Sequence, residues 1–501
     1  MVFMAGNSKR TQKGITLIGL GPGSPESVTR EVWDWLMVLD TLYMRTKLLP
    51  ITANLPGDMK LVCFDDIYGD LKDCKRVNKA IVEKILSLGR ENPNGVTYAV
   101  PGHPFVAEAT CPEIARRAEA EGIPVRVIDG LSFLEPTIRA LGSDTITNLV
   151  LVDAVDLSIR QTPGFSPSSP ALITQIYSKA TAADVKLTLM SIYPDEHPVR
   201  LVHGAGTRDE RVEDLPLNAI DQNQEKGLLC SLYVPPLSAN ASFESFQEIV
   251  ARLRAPDGCP WDSEQTHQSL RPFLIEEAYE ALDALEREDM SDLQEELGDL
   301  LLQIVLHAQI AAEDGDFNIH HVLDGIGSKL IRRHPHVFSD VVVEDVSGVI
   351  RTWESVKAEE RRENGVEGKQ GMLDGVPQAL PALLQAEEVI ERVKRSAFNR
   401  LEDIGNVSAL KEGMSLIENA EGNQLEEVLG ELLLVIASLA HTNGISPEDA
   451  LRKKLMRFRV RFGRMEARAL EAGSRLVELS AEEKEQLWEQ AASDEEGRED
   501  L

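Results

Sequence analysis

IEEAYE (275–280) and EELGD (295–299), the latter running into LLLQIVLHAQIA (300–311), decide how the second half of this chain folds. In both, acidic and apolar residues recur with helical rather than alternating spacing. Glu277 and Glu280 lie three apart, as do Glu296 and Asp299, so each pair shares one helix face. After Asp299 the sequence is apolar nearly all round, the mark of a buried helix. A carboxylate at the edge of such a stretch is costly unless compensated, and a hard cation is one compensation. Two such helices side by side would gather four carboxylates into an all-oxygen site suited to Mg²⁺ or Mn²⁺. The same spacings also suit a solvated face or salt-bridge partners. A carboxylate–histidine di-iron site would need ExxH, which neither helix has.

Outward from this pair, periodic helices are expected at 242–254, 270–286, 291–313, 320–333, 378–396, 407–419, 424–442 and 447–471. The charged segment 361–376 reads as a connector. KLIRRHPHVF (329–338) puts Lys329 and Arg333 one turn apart on one face, and WESVK (353–357) does the same for Trp353 and Lys357. Cations so spaced can hold a polyphosphate, and an indole can stack on a base or ribose. Arg332, near a helix end, reads as complementing the dipole, and His334 and His336 as capping or packing residues.

The helical half repeats itself weakly. EELGDLLLQIVLHAQ (295–309) aligns without a gap on EVLGELLLVIASLAH (427–441), and LIEEAYEAL (274–282) can be laid on LKEGMSLI (410–417). Glu277 then corresponds to Glu412 and Asp299 to Glu431, but Glu280 faces Ser415, Glu296 faces Val428 and Glu276 faces Lys411. Losing two ligands and gaining a lysine should abolish tight Mg²⁺ binding, so 377–472 reads as a structural or regulatory copy. Arg457 and Arg461 keep the Lys329/Arg333 spacing.

Up to about Pro236 the pattern changes. ITLIGL (15–20), VTYAV (96–100), VRVI (125–128) and ALIT (171–174) read as strands, with helical stretches such as 76–88 and 112–120 between them. Such alternation predicts an α/β domain with a substantially parallel sheet. The Pro- and Ser-rich 162–170 reads as a loop or linker between two lobes.

The whole chain, 501 residues, suits several domains, and 83 acidic against 52 basic residues give a formal charge of −31. Such a surface repels nucleic-acid backbones and anionic membranes, so neither is expected as a partner. Five scattered cysteines without a CxxC pair suit a reducing compartment. The first residues lack the apolar core of a secretion signal, and no apolar run is long enough to span a bilayer. A cytoplasmic location is expected. Residues 1–13 are expected to be disordered and 473–501 to form a C-terminal helix and acidic tail. No GxxxxGK[ST] loop is present, which disfavours a Walker-type hydrolase.

CPWDSEQTHQSL (259–270), LIEEAYEALDAL (274–285), LQEELGDLLLQIVLHAQIA (293–311), KLIRRHPHVF and WESVK resemble the MazG family of nucleoside triphosphate pyrophosphohydrolases. The resemblance implies an all-α bundle that dimerises and splits the α–β phosphate bond of a nucleoside triphosphate. The family's acidic pattern falls on Glu276, Glu277, Glu280, Glu296 and Asp299. Its substrate contacts fall on Lys329, Arg333, Trp353 and Lys357, with Trp261 in the preceding segment. Metal is expected on Glu277, Glu280, Glu296 and Asp299, the general base on Glu276 or Glu277, and catalytic cations on Lys329 and Arg333.

GLGPGS (19–24) alone is a weak signal, a nucleotide loop or a tight turn. Together with DTLYMRT (40–46), YAVPGHPFVAE (98–108), DGLSFLEP (129–136), residues 175–177 and VKLTLMSIYP (185–194), it resembles the tetrapyrrole methylase family. The pairing of the two halves resembles YabN-type bifunctional proteins. The fold class implied is a two-lobed α/β domain over 14–236, then helical copies at 242–360 and 377–472. S-adenosylmethionine is expected at Pro101, Gly102, His103, Pro104, Ser132, Phe133 and a strand region near Tyr193. Ser24 stands where many members carry Asp, and Gly102-His103-Pro104 where many carry Gly-Asp-Pro, so altered specificity is one implication. Three functions follow: a pyrophosphohydrolase with an accessory domain, a bifunctional enzyme with a working methyltransferase, or a non-catalytic nucleotide sensor.

Overall fold

Ile15–Gly19 (β1) is buried at every position, as a central strand covered on both faces must be. Ile15 and Leu17 face one apolar cluster, Ile18 the other, following the two-residue period of a strand. The computed structural model describes residues 13–47, 50–56, 59–66, 74–142, 147–176, 178–222, 230–343, 345–363, 371–395, 406–417 and 420–496. The N-terminal extension, Tyr177, the centre of the 361–376 connector and the last acidic residues lie outside them.

β1 is flanked by Val96–Val100 (β4) and Val125–Ile128 (β5), and Thr41–Met44 (β2) and Lys60–Cys63 (β3) extend the sheet. The order is β3-β2-β4-β1-β5, all parallel. Arg30–Leu36 (α1) covers one face, while Cys74–Glu91 (α2) and Thr110–Ala120 (α3) cover the other. Leu134–Leu141 (α4) leads towards the second lobe.

The second sheet departs from the parallel expectation. Its strands are Val150–Asp153 (β6), Ala171–Thr174 (β7), Pro198–His203 (β8), Arg211–Pro216 (β9) and Cys230–Val234 (β10), in the order β6-β7-β10-β8-β9. Only β6 and β7 are parallel; β8, β9 and β10 pair antiparallel. The connection from β8 to β9 is too short for a crossover and leaves a hairpin as the solution. Ala154–Ser158 (α5) and Lys179–Met190 (α6) pack on this sheet.

Segment 162–170 is not a joint between lobes: it lies between α5 and β7, inside the second lobe. Its work is to receive the chain leaving β10. Pro167 O accepts from Leu237 N at 2.8 Å, and Ser168 Oγ donates to Ser242 Oγ at 2.9 Å. Ser242 caps Phe243–Leu253 (α7), accepting from Ser245 N.

The helices continue as Pro260–Ser263 (α8), His267–Glu286 (α9), Met290–Asp314 (α10), Ile319–Arg333 (α11), Pro335–Phe338 (α12) and Val346–Glu363 (α13). Beyond these come Ala382–Arg395 (α14), Val407–Ile417 (α15), Asn423–Thr442 (α16), Pro447–Glu471 (α17) and Ala481–Glu496 (α18). α14 starts later than its periodicity suggests because Pro377 and Pro381 disfavour helix before it. Two compact units divide the chain, Met1–Val322 and Leu323–Leu501. In the first, Val250, Leu270, Val305, Leu306 and Ile319 form the helical core. Arg254, with its side chain only 5% exposed, ties α7 to α10 through Glu313 at 2.8 Å. Among the described residues no single helix is long and apolar enough to cross a membrane; only α16 and α17 together pass that test, as a pair bent by 102°.

Candidate functional site

α9 and α10 form an antiparallel hairpin whose short connection is fastened by Arg287, paired with Asp283 and Asp292. Asp289 caps α10 by accepting from Ser291 N and Asp292 N, each at 3.1 Å. The antiparallel run brings Glu280 opposite Glu296. Farther along the same seam, His267 meets His307, Nδ1 to Nδ1 at 2.7 Å with the rings stacked.

Carboxylate oxygens of Glu277, Glu280 and Glu296 all lie within 4.8 Å of one another. Asp299 stands outside that trio, yet it is the largest charge acting on Glu277. The Glu277 carboxyl is pushed above the usual range, by partial burial first and then by Asp299, Glu280, Glu296 and Glu276. Glu296 is pushed up likewise, by desolvation and then chiefly by Glu280. Among the described residues no basic side chain pairs with any of the four. An all-oxygen donor set, mutually repelling and without a cationic side chain, fits a hard divalent ion. Glu276 is exposed and outside the trio, and Trp261 is exposed on α8 with its ring edge-on to Phe273.

In the second unit, α11 and α13 bring together Arg333, Trp353 and Lys357, with Lys329 exposed one turn back on α11. The Arg333 guanidinium lies 5.3 Å from the Trp353 ring centre and Lys357 Nζ 4.8 Å from it. Glu360, buried although it sits within a charged run, escaped the sequence reading. It pairs with Arg333 at 2.6 Å and with Arg332 at 2.7 Å, so Arg332 serves an ion pair rather than only a helix dipole. Its carboxyl is held below the usual range by the Arg333 hydrogen bond. His334 precedes α12 without a side-chain bond to it, and caps instead the last turn of α11, its Nδ1 lying 2.8 Å from Leu330 O.

The second copy closes the equivalent seam with apolar contacts. Val428 and Leu432 are buried on α16, and a Cβ on Gly413 would sit 2.4 Å from Leu432 Cδ2. Ser415 turns its hydroxyl back to Lys411 O. Arg461 lies over Trp488 of α18 at 4.0 Å, a stack that the repeated Trp-Glu of WESVK at 488–489 could have signalled.

At the carboxyl ends of β1, β4 and β5, Gly19, Gly102 and Gly130 abut backbone to backbone. A Cβ on Gly130 would meet Gly102 O at 2.4 Å and Gly19 O at 2.5 Å. Gly102, buried and at φ +69°, is less crowded: a Cβ there would meet only Phe133 N, at 3.9 Å. Such strand ends are where open α/β sheets take ligands, and the room over Gly102 fits a cofactor bound by backbone. His103 Nδ1 accepts from Phe105 N at 3.0 Å, which leaves the proton on Nε2, facing Asp129 at 3.2 Å. His103 therefore ties two loops together. Ser132 is buried, accepts from Leu134 N and donates to Glu135. Pro101 is half-buried and Pro104 buried in the same loop. Tyr193 is on no strand: residues 185–190 continue α6, and the ring sits in the second-lobe core with its hydroxyl unpartnered. Burial pushes that hydroxyl up to about 12.

The model of the MazG nucleotide pyrophosphohydrolase domain matches residues 265–338, and that of Tetrapyrrole (Corrin/Porphyrin) Methylases matches 14–221. MazG of Thermotoga maritima, a nucleoside triphosphate pyrophosphohydrolase/pyrophosphatase, is 38% identical over 254 residues, 50% of this chain and 96% of its own. The chain belongs to the MazG family. The matched MazG domain holds the acidic trio, Asp299, Lys329 and Arg333, and stops before Trp353. The uncharacterized protein YabN of Bacillus subtilis is 38% identical over 487 residues, 95% of this chain and 98% of its own, so this MazG protein shares the fused architecture. Uroporphyrin-III C-methyltransferase from Thermus thermophilus is a structural neighbour at TM-score 0.34 and 21% identity, covering 45% of this chain and 93% of its own.

Proposed function

We propose that the MazG region hydrolyses nucleoside or deoxynucleoside triphosphates to monophosphate and pyrophosphate, with Mg²⁺ or Mn²⁺ on Glu277, Glu280, Glu296 and Asp299. The observation that carries this reading is the convergence of three carboxylates within 4.8 Å, uncompensated by any basic side chain among the described residues. The ion supplies charge neutralisation and Lewis acidity at the phosphate. Lys329, Arg333 and Lys357 hold phosphate oxygens, and Trp353 and Trp261 stack on base or sugar. Glu276, uncommitted to the trio, takes the proton of the attacking water; Glu277 is the alternative. A broad substrate range, and with it the clearance of aberrant nucleotides, accords with stacking that tolerates any base.

A homodimer is part of this reading. Leu297, Leu301 and Ile304 form an exposed apolar stripe on α10, reproduced on α16 by Leu429, Leu433 and Ile436. Stripes of this kind are covered in bundles by a partner helix. A panel of triphosphates with Mg²⁺, and again with a chelator, tests the activity; turnover that survives chelation sinks the metal assignment.

The second reading adds S-adenosylmethionine-dependent methyl transfer at the α/β domain. It is favoured by the uncrowded Gly102, where an added Cβ would meet only Phe133 N at 3.9 Å. Pro101–Pro104, Ser132 and Phe133 would hold the cofactor, which supplies an activated methyl group.

A further inference from the structure

We propose that Glu360 is a positioning residue of the nucleotide site, gripping Arg333 by one edge so that its other edge is presented to phosphate. This rests on reading Arg333 and Trp353 as triphosphate contacts. Trp353, Lys357 and Glu360 follow one another at four and three residues along α13 and so share a face. Glu360 is only 7% exposed, and a carboxylate so placed must be compensated. Arg332 and Arg333 both do so.

The grip on Arg333 is side-on. Nε reaches the carboxylate oxygens at 3.3 and 3.2 Å and Nη2 donates at 2.6 Å, whereas Nη1 has no partner among the described residues. With the guanidinium also lying over Trp353, its plane is fixed on two sides. The free Nη1 edge is the part left to meet an anion, and its ordering has been met before the ligand arrives. Glu360 also offsets the repulsion between two neighbouring guanidiniums, which keeps Arg333 from swinging to solvent.

The second copy supplies an internal comparison. Arg461 also lies over an indole, Trp488, and its Nε and Nη2 donate to Trp488 O at 3.0 and 2.8 Å. The fold thus anchors the same arginine edge twice. Only the copy with the acidic trio uses a buried carboxylate, the stronger, charge-assisted acceptor.

The test uses the full-length protein with Mg²⁺ and a nucleoside triphosphate, comparing wild type, Arg333→Ala, Glu360→Gln and Glu360→Asp, with melting temperatures recorded. Titration of tryptophan fluorescence with an α,β-methylene triphosphate measures binding without turnover. Glu360→Gln should raise KM about tenfold while kcat stays within about twofold, the signature of lost binding. It should weaken analogue binding by a similar factor, and Glu360→Asp should recover part of both. An unchanged or lowered KM in Glu360→Gln, with KM raised in Arg333→Ala, overturns the positioning role alone. A KM unmoved by Arg333→Ala overturns the reading of Arg333 and this inference with it. Should Glu360→Gln fail to fold, the decision passes to Glu360→Asp, for which wild-type KM and analogue affinity would count against the role.

Discussion

Val428, which the alignment of the two helical segments sets against Glu296, is buried on α16, whereas Glu296 is half-exposed among carboxylates. With Ser415 in place of Glu280 and Lys411 in place of Glu276, this change separates a seam that gathers charge from one that excludes water. The consequences for catalysis, stability and cofactor binding can each be measured.

Removing one oxygen donor from the four proposed metal ligands, whether Glu280 of the trio or Asp299 beside it, should remove most of the activity. Glu280→Gln and Asp299→Asn should each lose at least ~100-fold in turnover, since even outer partners of metal ligands are worth 10–100-fold. Ser415→Ala in the second copy should remain within about twofold of wild type. Steady-state rates at saturating Mg²⁺ check all three, and damage from the Ser415 change would refute the alignment of the two copies.

The raised carboxyls of Glu277 and Glu296 set a pH dependence in metal-free protein. In the unfolded chain both ionise near the ordinary glutamate value, below their folded values. The folded state therefore binds more protons in that window, and the pair costs stability increasingly as pH rises through it. Glu277→Gln should melt higher than wild type at pH 7.5 without metal, and the gap should close towards pH 4. Mg²⁺ should raise the melting temperature of wild type and leave the variant nearly unmoved. A variant that melts lower than wild type at pH 7.5 without metal contradicts the repulsion.

The crowded strand ends predict the outcome of a single methyl. Gly130→Ala forces a Cβ to within 2.6 Å of the Gly19 backbone and 2.4 Å of Gly102 O. Overpacking of this kind costs about 1–3 kcal/mol and shifts the loops it touches. Calorimetry should show S-adenosylmethionine binding to wild type and at least tenfold weaker binding to Gly130→Ala. Absence of binding to wild type leaves the α/β domain as a scaffold.

His103→Ala breaks the Nε2 contact with Asp129 and the bond from Phe105 N. It should weaken S-adenosylmethionine binding a few-fold without touching triphosphate turnover. Equal calorimetric affinity in the two proteins would dismiss the tie as a support of the site.

Helical period and the three-residue spacing of acids are local properties, and they made α9, α10 and the opposition of Glu277, Glu280 and Glu296 legible before any coordinates. Glu360 was not legible, because KAEERRE has the composition of a solvated face and burial depends on α11 packing against it. Tyr193 misled for the opposite reason: its apolar neighbours suit a strand as well as a helix, and α6 claims them. The antiparallel half of the second sheet depends on loop length rather than on strand composition. Trp488 lay beyond the aligned segment, so the Trp-Glu it shares with WESVK went unused and its stack with Arg461 was first read from the fold.

The most direct test of the central claim is the identity of the products formed from a nucleoside triphosphate by wild type and Glu280→Gln, with Mg²⁺ present. Monophosphate and pyrophosphate in equal amounts from wild type, and almost none from the variant, is the result expected. Diphosphate and phosphate, or equal turnover by the two proteins, would contradict it.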